Sequence, residues 1–439
     1  MSGGLIVAAP RSGSGKTLIV AGLLRHLTGR GVRVAAAKCG PDYIDPTFHA
    51  LASGRACVNL DPWAMRPAAL AGLVGELECG ADLVLCEGVM GLFDGAGPDG
   101  AGSTAELARR TGWPVVLVVD ASGQGASIAA LVAGFARHDP AVPLAGVILN
   151  RVASARHRAL LTEALARHLP ALPVLGALMQ DRALALAARH LGLVPAREDA
   201  EAVARLIDAA AAAIADGFAV DRLVALAQPT ACAAGAGMPG VPPLGMHIAV
   251  ARDDAFCFVY AATLAGWRRQ GATVSFFSPL ADAAPDPDAD AIYLPGGYPE
   301  LHAGRLAAAS RFLGGVRAAA GSGAAVYGEC GGYMVLGEAL TDARGEAHRM
   351  AGLLPLATSF AAPRRHLGYR VARLLGPCPL GAAGAAFRGH EFHYATVVSE
   401  DDGGRLFALA DANGAALGAA GLRRGSVCGS FVHVIDREG

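Results

Sequence analysis

Apolar segments of strand length alternate with helical patterns along almost the whole chain, and the alternation is interrupted once. Residues 5–9, 32–37, 83–86, 115–119 and 144–149 are apolar runs, interrupted by charge only at Arg33, separated by stretches of helical pattern. Strands apolar along their whole length must be covered on both faces, which is the condition of a parallel α/β sheet. The interruption is 229–245, PTACAAGAGMPGVPPLG, where Gly, Pro and small residues crowd together in the manner of a linker. Beyond it the alternation resumes at 246–251, 273–277, 291–294 and 324–327. At roughly 150 residues per domain, 439 residues make two or three domains. The expected fold is α/β, with two doubly wound domains over 1–228 and 245–439 and a linker over 229–244. The alanine-rich run 200–215 is broken by Glu201, Arg205 and Asp208 and reads as an amphipathic helix. No apolar stretch reaches the ~18 residues of a membrane span.

Composition narrows the function. A net charge of −1 provides no basic field for nucleic acid. Nine cysteines, an odd number with no C-x-x-C pair, indicate reduced thiols and no zinc site. The N-terminus lacks a signal-peptide pattern, so the expected location is cytoplasmic, away from membranes. Of the 37 basic residues only Lys16 and Lys38 are lysines. On a solvated surface either cation serves, but a compact ammonium and a planar fork differ in a confined site. If coding bias supplies arginine wherever a generic cation suffices, the two lysines mark positions where a compact ammonium is required.

Residues 5–20, LIVAAPRSGSGKTLIV, are a strand, a Gly/Ser loop and a helix start. Backbone N–H groups of such a loop and the helix N-terminus form an anion site for di- and triphosphates. Gly13 and Gly15 shape the loop, Lys16 reaches the outer phosphates, and the Thr17 hydroxyl suits Mg²⁺. Pro10 stands where the strict P-loop pattern has its first Gly, so this is a variant. Mg²⁺ needs further oxygen ligands. Two loops at strand ends offer them: one carries Lys38, Asp42, Tyr43 and Asp45, the other Glu87 and Asp94. Ligand sites of open α/β sheets lie at that edge. A lone Asp there is usually a turn or cap residue. Four carboxylates beside Gly and Pro favour a functional reading, with Asp42 and Glu87 the metal candidates. Asn150, at another strand end, suits the donor and acceptor of a purine base, or equally caps a turn.

In the second half, Tyr327-Gly-Glu-Cys-Gly-Gly-Tyr has the form of a nucleophile elbow, with Cys330 in the nucleophile slot. A thiol on such a turn is expected to be exposed, and the following helix N-terminus to favour its thiolate; the bland alternative is an inert buried cysteine. Its base would be His433, with His390 and His393 as further candidates. The Gly pair in Leu294-Pro-Gly-Gly-Tyr offers N–H groups, from Gly297, that could form an oxyanion hole with Gly331.

Taken together, the elbow, the Pro-Gly-Gly turn and the late Gly-Ser-Phe-Val-His resemble a class I-type glutamine amidotransferase domain with a Cys-His pair. The variant P-loop, Gly-Pro-Asp-Tyr-Ile-Asp-Pro and Glu-Gly-Val-Met-Gly-Leu-Phe-Asp resemble the synthetase domain of corrinoid a,c-diamide synthases, which is dethiobiotin-synthetase-like in fold. The resemblance implies an ATP- and Mg²⁺-dependent ligase that amidates the a- and c-acetates of a corrin-ring acid through acyl phosphates, with glutamine as nitrogen donor. The expected substrate is hydrogenobyrinic acid, with cobyrinic acid as the alternative and the amidase of other corrin side chains as a more distant one. By motif, Lys16, Thr17, Asp42, Asp45, Glu87 and Asp94 belong to the ATP, metal and substrate region, and Cys330 and His433 to glutamine hydrolysis. As the second of the two lysines, Lys38 joins Lys16 as an expected ATP-site ligand of phosphate or acyl phosphate. Many relatives of the amidotransferase carry Glu two residues after the catalytic His; here Ile435 stands there and the third role is unassigned. Arg364, Arg365, Arg370 and Tyr369 form a candidate patch for substrate carboxylates. A P-loop switch ATPase is disfavoured by Arg11, which replaces that group's extra lysine. The expected partners are small molecules, and assembly as a homodimer is left open.

Overall fold

A computed structural model describes residues 2–181, 184, 200–231, 237, 240–401 and 404–438. Residues 232–236 and 238–239 of the predicted linker, with Cys232, lie outside these. The chain forms two compact units, 1–63 with 67–238, and 64–66 with 239–439. Among the described residues all eight cysteines are free thiols, and no helix is long and apolar enough to cross a membrane.

The first unit is built on seven strands: β1 (Gly3–Ala8), β2 (Val34–Cys39), β3 (Val58–Leu60), β4 (Leu83–Glu87), β5 (Val115–Asp120), β6 (Leu144–Val152) and β7 (Val174–Met179). They lie in the order β3-β2-β4-β1-β5-β6-β7, and every pair is parallel. Every residue of β1, β2, β4 and β5 is buried, as continuous apolar runs require when helices cover both faces. Strands β3 and β7 are absent from the sequence prediction: β3 has three residues, and the short apolar run of β7 is broken by Gly176. The helix Ala200–Gly217 forms where the alanine-rich run predicts it and buries Leu206, Ile207 and Ile214. Each such side chain contributes roughly 1.5–3 kcal/mol by leaving water.

In the second unit, β8 (His247–Ala251), β9 (Thr273–Phe277), β10 (Ala291–Leu294) and β11 (Ala325–Glu329) match the four predicted strands closely. They run parallel in the order β11-β10-β8-β9, with Phe312, Leu313 and Val316 of the helix Ser310–Gly321 in their core. The remainder departs from the doubly wound pattern. Beside a small sheet of β12 (Ala339–Thr341), β13 (Ala347–Arg349), β14 (Leu356–Ser359) and β17 (Thr396–Glu400), the chain extends the main sheet with antiparallel strands. These are β15 (His366–Leu374), β16 (Ala386–His393), β18 (Arg405–Ala410) and β19 (Ala416–Arg424). Then β20 (Val427–Ser430) pairs parallel to β11, and β21 (Val432–Arg437) pairs with β16 at the far edge. The antiparallel strands are interrupted by Gly and Arg and half exposed, so they lack the continuous apolar signature.

Candidate active sites

In a parallel sheet all carboxyl ends lie on one edge, and the first unit gathers the predicted phosphate and metal residues there. A cavity of about 810 Å³ is lined by Gly13, Gly15, Lys16, Thr17, Lys38, Asp42, Asp45, Glu87 and Asn150 among others. Gly15, with φ 89°, precedes helix α1 (Lys16–Gly29), and a Cβ on it would lie 2.2 Å from Asn150 Nδ2. Only glycine combines that conformation with that approach.

Neighbouring strand registers bring the charges together, for Lys38 of β2 stands directly opposite Glu87 of β4. Thr17 Oγ1 donates to Glu87 Oε1 at 2.8 Å, and His49 Nε2 lies 2.6 Å from Glu87 Oε2. Lys38 Nζ donates to Asp45 Oδ2 at 2.6 Å and lies 3.3 Å from Glu87 and 4.0 Å from Asp42. Burial opposes the charges on Lys38 and Glu87. The surrounding Asp45, Glu87 and Asp42 nevertheless raise Lys38 well above the usual lysine value, and Lys38 with His49 holds Glu87 below the usual carboxylate range. Asp45 is pushed up by burial and by Glu87. Lys16 is lowered by burial, and its Nζ donates to Met90 O at 2.7 Å.

Three expectations change here. Lys38 is not held open for phosphate in this arrangement, because its ammonium is already paired with Asp45 and lies within 4.0 Å of Glu87 and Asp42. The Asn150 amide donates to Ser14 O at 2.8 Å and its Oδ1 accepts from Arg151 N, so it braces the phosphate loop instead of reading a base. Asp94 accepts from Gly91 N at 2.8 Å and closes a turn; neither it nor Tyr43 lines the cavity. Sequence reasoning missed His49, one helical turn after Asp45 on α2 (Asp45–Ser53), where the i,i+4 spacing was the available signal. It also missed Arg151, Met179, Gln180 and Asp181, which line the far wall. Arg11 and Arg151 share one carboxylate, Asp120, at 3.3 and 2.5 Å.

In the second unit β11 ends at Glu329 and the chain turns through Cys330 at φ 47°, ψ −102° into the short helix Gly331–Leu336. A positive φ on a non-glycine residue stores strain, the mark of a nucleophile elbow. The predicted oxyanion donors are adjacent, since a Cβ on Gly331 would sit 3.1 Å from the Gly297 nitrogen. Contrary to expectation Cys330 is buried, at 3 % exposure, with Sγ 3.7 Å from Phe392 O. Burial, reinforced by the Glu300 carboxylate, pushes its thiol up, and this outweighs the lowering by the Gly331 N–H. His433 is buried and lies opposite His390 across the β21–β16 pair. Arg370 is braced within the protein, Nε donating to Glu391 Oε2 at 2.6 Å and Nη1 to Tyr369 O; Arg364 and Arg365 are exposed.

His390 is driven down to about 3 by burial and by the nearby His433 and Arg370. Glu391, despite burial, is held down at about 2 by His393 and Arg370. Both folded-state values lie below the unfolded ones, so the unfolded chain takes up protons first as pH falls. Acidification from pH 6.5 to 4 is therefore expected to remove on the order of 2 kcal/mol of stability. Denaturant unfolding across that range, with a shallower slope in His390→Asn, checks it.

Residues 5–194 match the CobQ/CobB/MinD/ParA nucleotide binding domain family, and 247–438 match the CobB/CobQ-like glutamine amidotransferase domain. Along the full length the chain is 55% identical to a protein of Brucella anthropi named hydrogenobyrinate a,c-diamide synthase, covering 99% of this chain and 98% of that one. Proteins of the same name from Rhodobacter capsulatus and Rhizobium meliloti are 55% and 54% identical, the first over 98% of each chain and the second over 99% of each.

Proposed function

The chain belongs to the hydrogenobyrinate a,c-diamide synthase family, and on that premise we propose that it converts the a- and c-acetates of hydrogenobyrinic acid to primary amides. It is a glutamine-dependent ligase of cobalamin biosynthesis with a P-loop nucleotide-binding domain. The observation that carries the residue-level reading is the coexistence in one chain of a phosphate cradle edged by hard oxygen donors and a strained Cys elbow beside two glycine N–H groups.

A carboxylate does not react usefully with ammonia, because oxide would have to leave. Transfer of the γ-phosphoryl group of ATP to the substrate carboxylate gives an acyl phosphate, whose leaving group is phosphate. Gly13 and Gly15 admit the phosphates to the loop, and Lys16 stabilises the transferring charge. Thr17 Oγ1 and Glu87 Oε1, 2.8 Å apart and with Asp42 on the same cavity wall, are an oxygen set that fits Mg²⁺. Bound there, Mg²⁺ would neutralise phosphate charge. His49 orients Glu87, and Lys38 keeps Asp45 and Asp42 from repelling it. In the other unit Cys330 attacks the carboxamide carbon of glutamine, and the Gly297 and Gly331 N–H groups stabilise the oxyanion. His433 passes the thiol proton to the departing ammonia and then activates the water that cleaves the thioester.

The test is a glutamine-dependent ATPase assay with cobalt-free and cobalt-containing ring acids, with products read by mass. Two amidations of the cobalt-free acid are expected. ATP turnover that neither acid stimulates would remove the reading.

A further inference from the structure

The position two residues after His433 holds Ile435, at 2 % exposure, yet a carboxylate approaches the imidazole from elsewhere. Glu329, the last residue of β11 and the immediate neighbour of Cys330, is 3 % exposed and points to β21. Its Oε2 lies 3.7 Å from His433 Nδ1 and accepts from Tyr293 OH at 2.7 Å. Its Oε1 accepts from Tyr327 OH at 3.0 Å and from Val434 N at 3.1 Å. We propose that Glu329 is the positioning residue for His433, filling the third place of a Cys330–His433–Glu329 triad from the nucleophile's side of the sheet.

The same hydrogen bonds that tie β10, β11 and β21 together also hold the carboxylate still beside the imidazole. Both tyrosines are buried and stacked, with ring centroids 5.9 Å apart, and burial together with Glu329 raises their hydroxyls well above the usual range. They remain donors at any working pH, so two hydroxyls and a backbone N–H fix the carboxylate with one oxygen turned to the imidazole. At 3.7 Å the contact is just beyond hydrogen-bond length, of the kind that closes as the imidazole takes up a proton. A negative oxygen beside Nδ1 selects the tautomer with hydrogen on Nδ1. Nε2 is then left to take the proton from Cys330 Sγ as the S–C bond to glutamine forms, and to return it to ammonia as the C–N bond breaks. Gly296 makes room for the ring, since a Cβ there would lie 2.4 Å from His433 Cε1. Glu329 itself opposes a negative charge on Cys330, so its benefit runs through the imidazole.

Glu329→Gln is a sharp probe. The Val434 N–H can only donate, so the carboxamide oxygen must take the Oε1 place and the NH₂ must face His433 Nδ1. That donor selects the opposite tautomer, with hydrogen on Nε2. Glu329→Asp keeps the charge one methylene farther away. The inference rests on the Cys330–His433 reading, so Cys330→Ala is run beside both, in the full-length protein. Glutaminase kcat in Glu329→Gln is expected to fall by about 100-fold. KM for glutamine should stay within about twofold and ammonia-dependent amidation should be unchanged, while Glu329→Asp retains at least about tenfold more activity than Glu329→Gln. Equal losses in the two variants, a rise in KM without a fall in kcat, or a loss of under about threefold in Glu329→Gln overturns the role of Glu329. Glutaminase activity persisting in Cys330→Ala overturns instead the reading beneath it.

Discussion

Replacing Cys330 by Ser is expected to lower glutamine-dependent amidation by at least about 10³-fold while amidation supplied with an ammonium salt persists. The substitution keeps the strained turn, because Ser is close in size to Cys and needs no rotamer that Cys lacks. What it removes is a nucleophile whose proton the imidazole can draw away. Burial already places the Cys330 thiol high, and an alcohol in the same site is harder to activate by many orders of magnitude. Among the described residues, those lining the phosphate cavity all belong to the first unit, from Ser12 to Leu184, and Cys330 is not one of them. ATP turnover with ring acid and ammonium should therefore match the unmodified protein. Unchanged turnover with glutamine would remove Cys330 from the mechanism, and loss with both nitrogen sources would show that the elbow serves stability.

What could be read from the chain alone was whatever is written in contiguous residues. The β1 strand, the loop through Gly13 and Gly15 and the start of α1 lie within one segment, so their geometry follows from local rules. The elbow at Cys330 is local in the same sense. Charge partners are not. Lys38 and Glu87 are 49 residues apart, and only the β2–β4 register sets them side by side; without it Lys38 reads as a spare cation near phosphate. Glu329 lies inside a motif quoted for its cysteine, but its tie to His433 depends on β11, β20 and β21 folding together. Asn150 braces Ser14 across 136 residues, a contact no spacing rule anticipates. The burial of Cys330 has a related cause: Phe392, whose carbonyl lies 3.7 Å from Sγ, comes from an antiparallel strand that lacks a continuous apolar run.

Lys38→Met is expected to destabilise the protein by about 3–5 kcal/mol, the cost of leaving buried carboxylates without their cation. Met preserves length and apolar stem, so the effect isolates the ammonium. In its absence Asp45, Glu87 and Asp42 face one another in a region where Lys38 is 2 % and Glu87 1 % exposed. Asp45, whose carboxyl burial and Glu87 already push up, would take up the proton first once Lys38 is gone, so the deficit should shrink as pH is lowered. Added Mg²⁺ should restore part of the stability, because a divalent cation among the same oxygens replaces the missing charge. Urea unfolding with and without Mg²⁺ at two pH values reads all three effects. A variant within about 0.5 kcal/mol of the parent would show that these carboxylates need no counter-ion. Lys38→Arg separates charge from shape. Nζ sits 2.6 Å from Asp45 and 3.3 Å from Gly88 O in a closed space, and a planar fork with five donors cannot be satisfied there. Amidation should then fall with glutamine and with ammonium alike. That outcome would account for the two lysines in a chain that otherwise uses arginine: both are buried, at 7 % and 2 % exposure, where a single compact ammonium meets carbonyl or carboxylate oxygens and a guanidinium has no room.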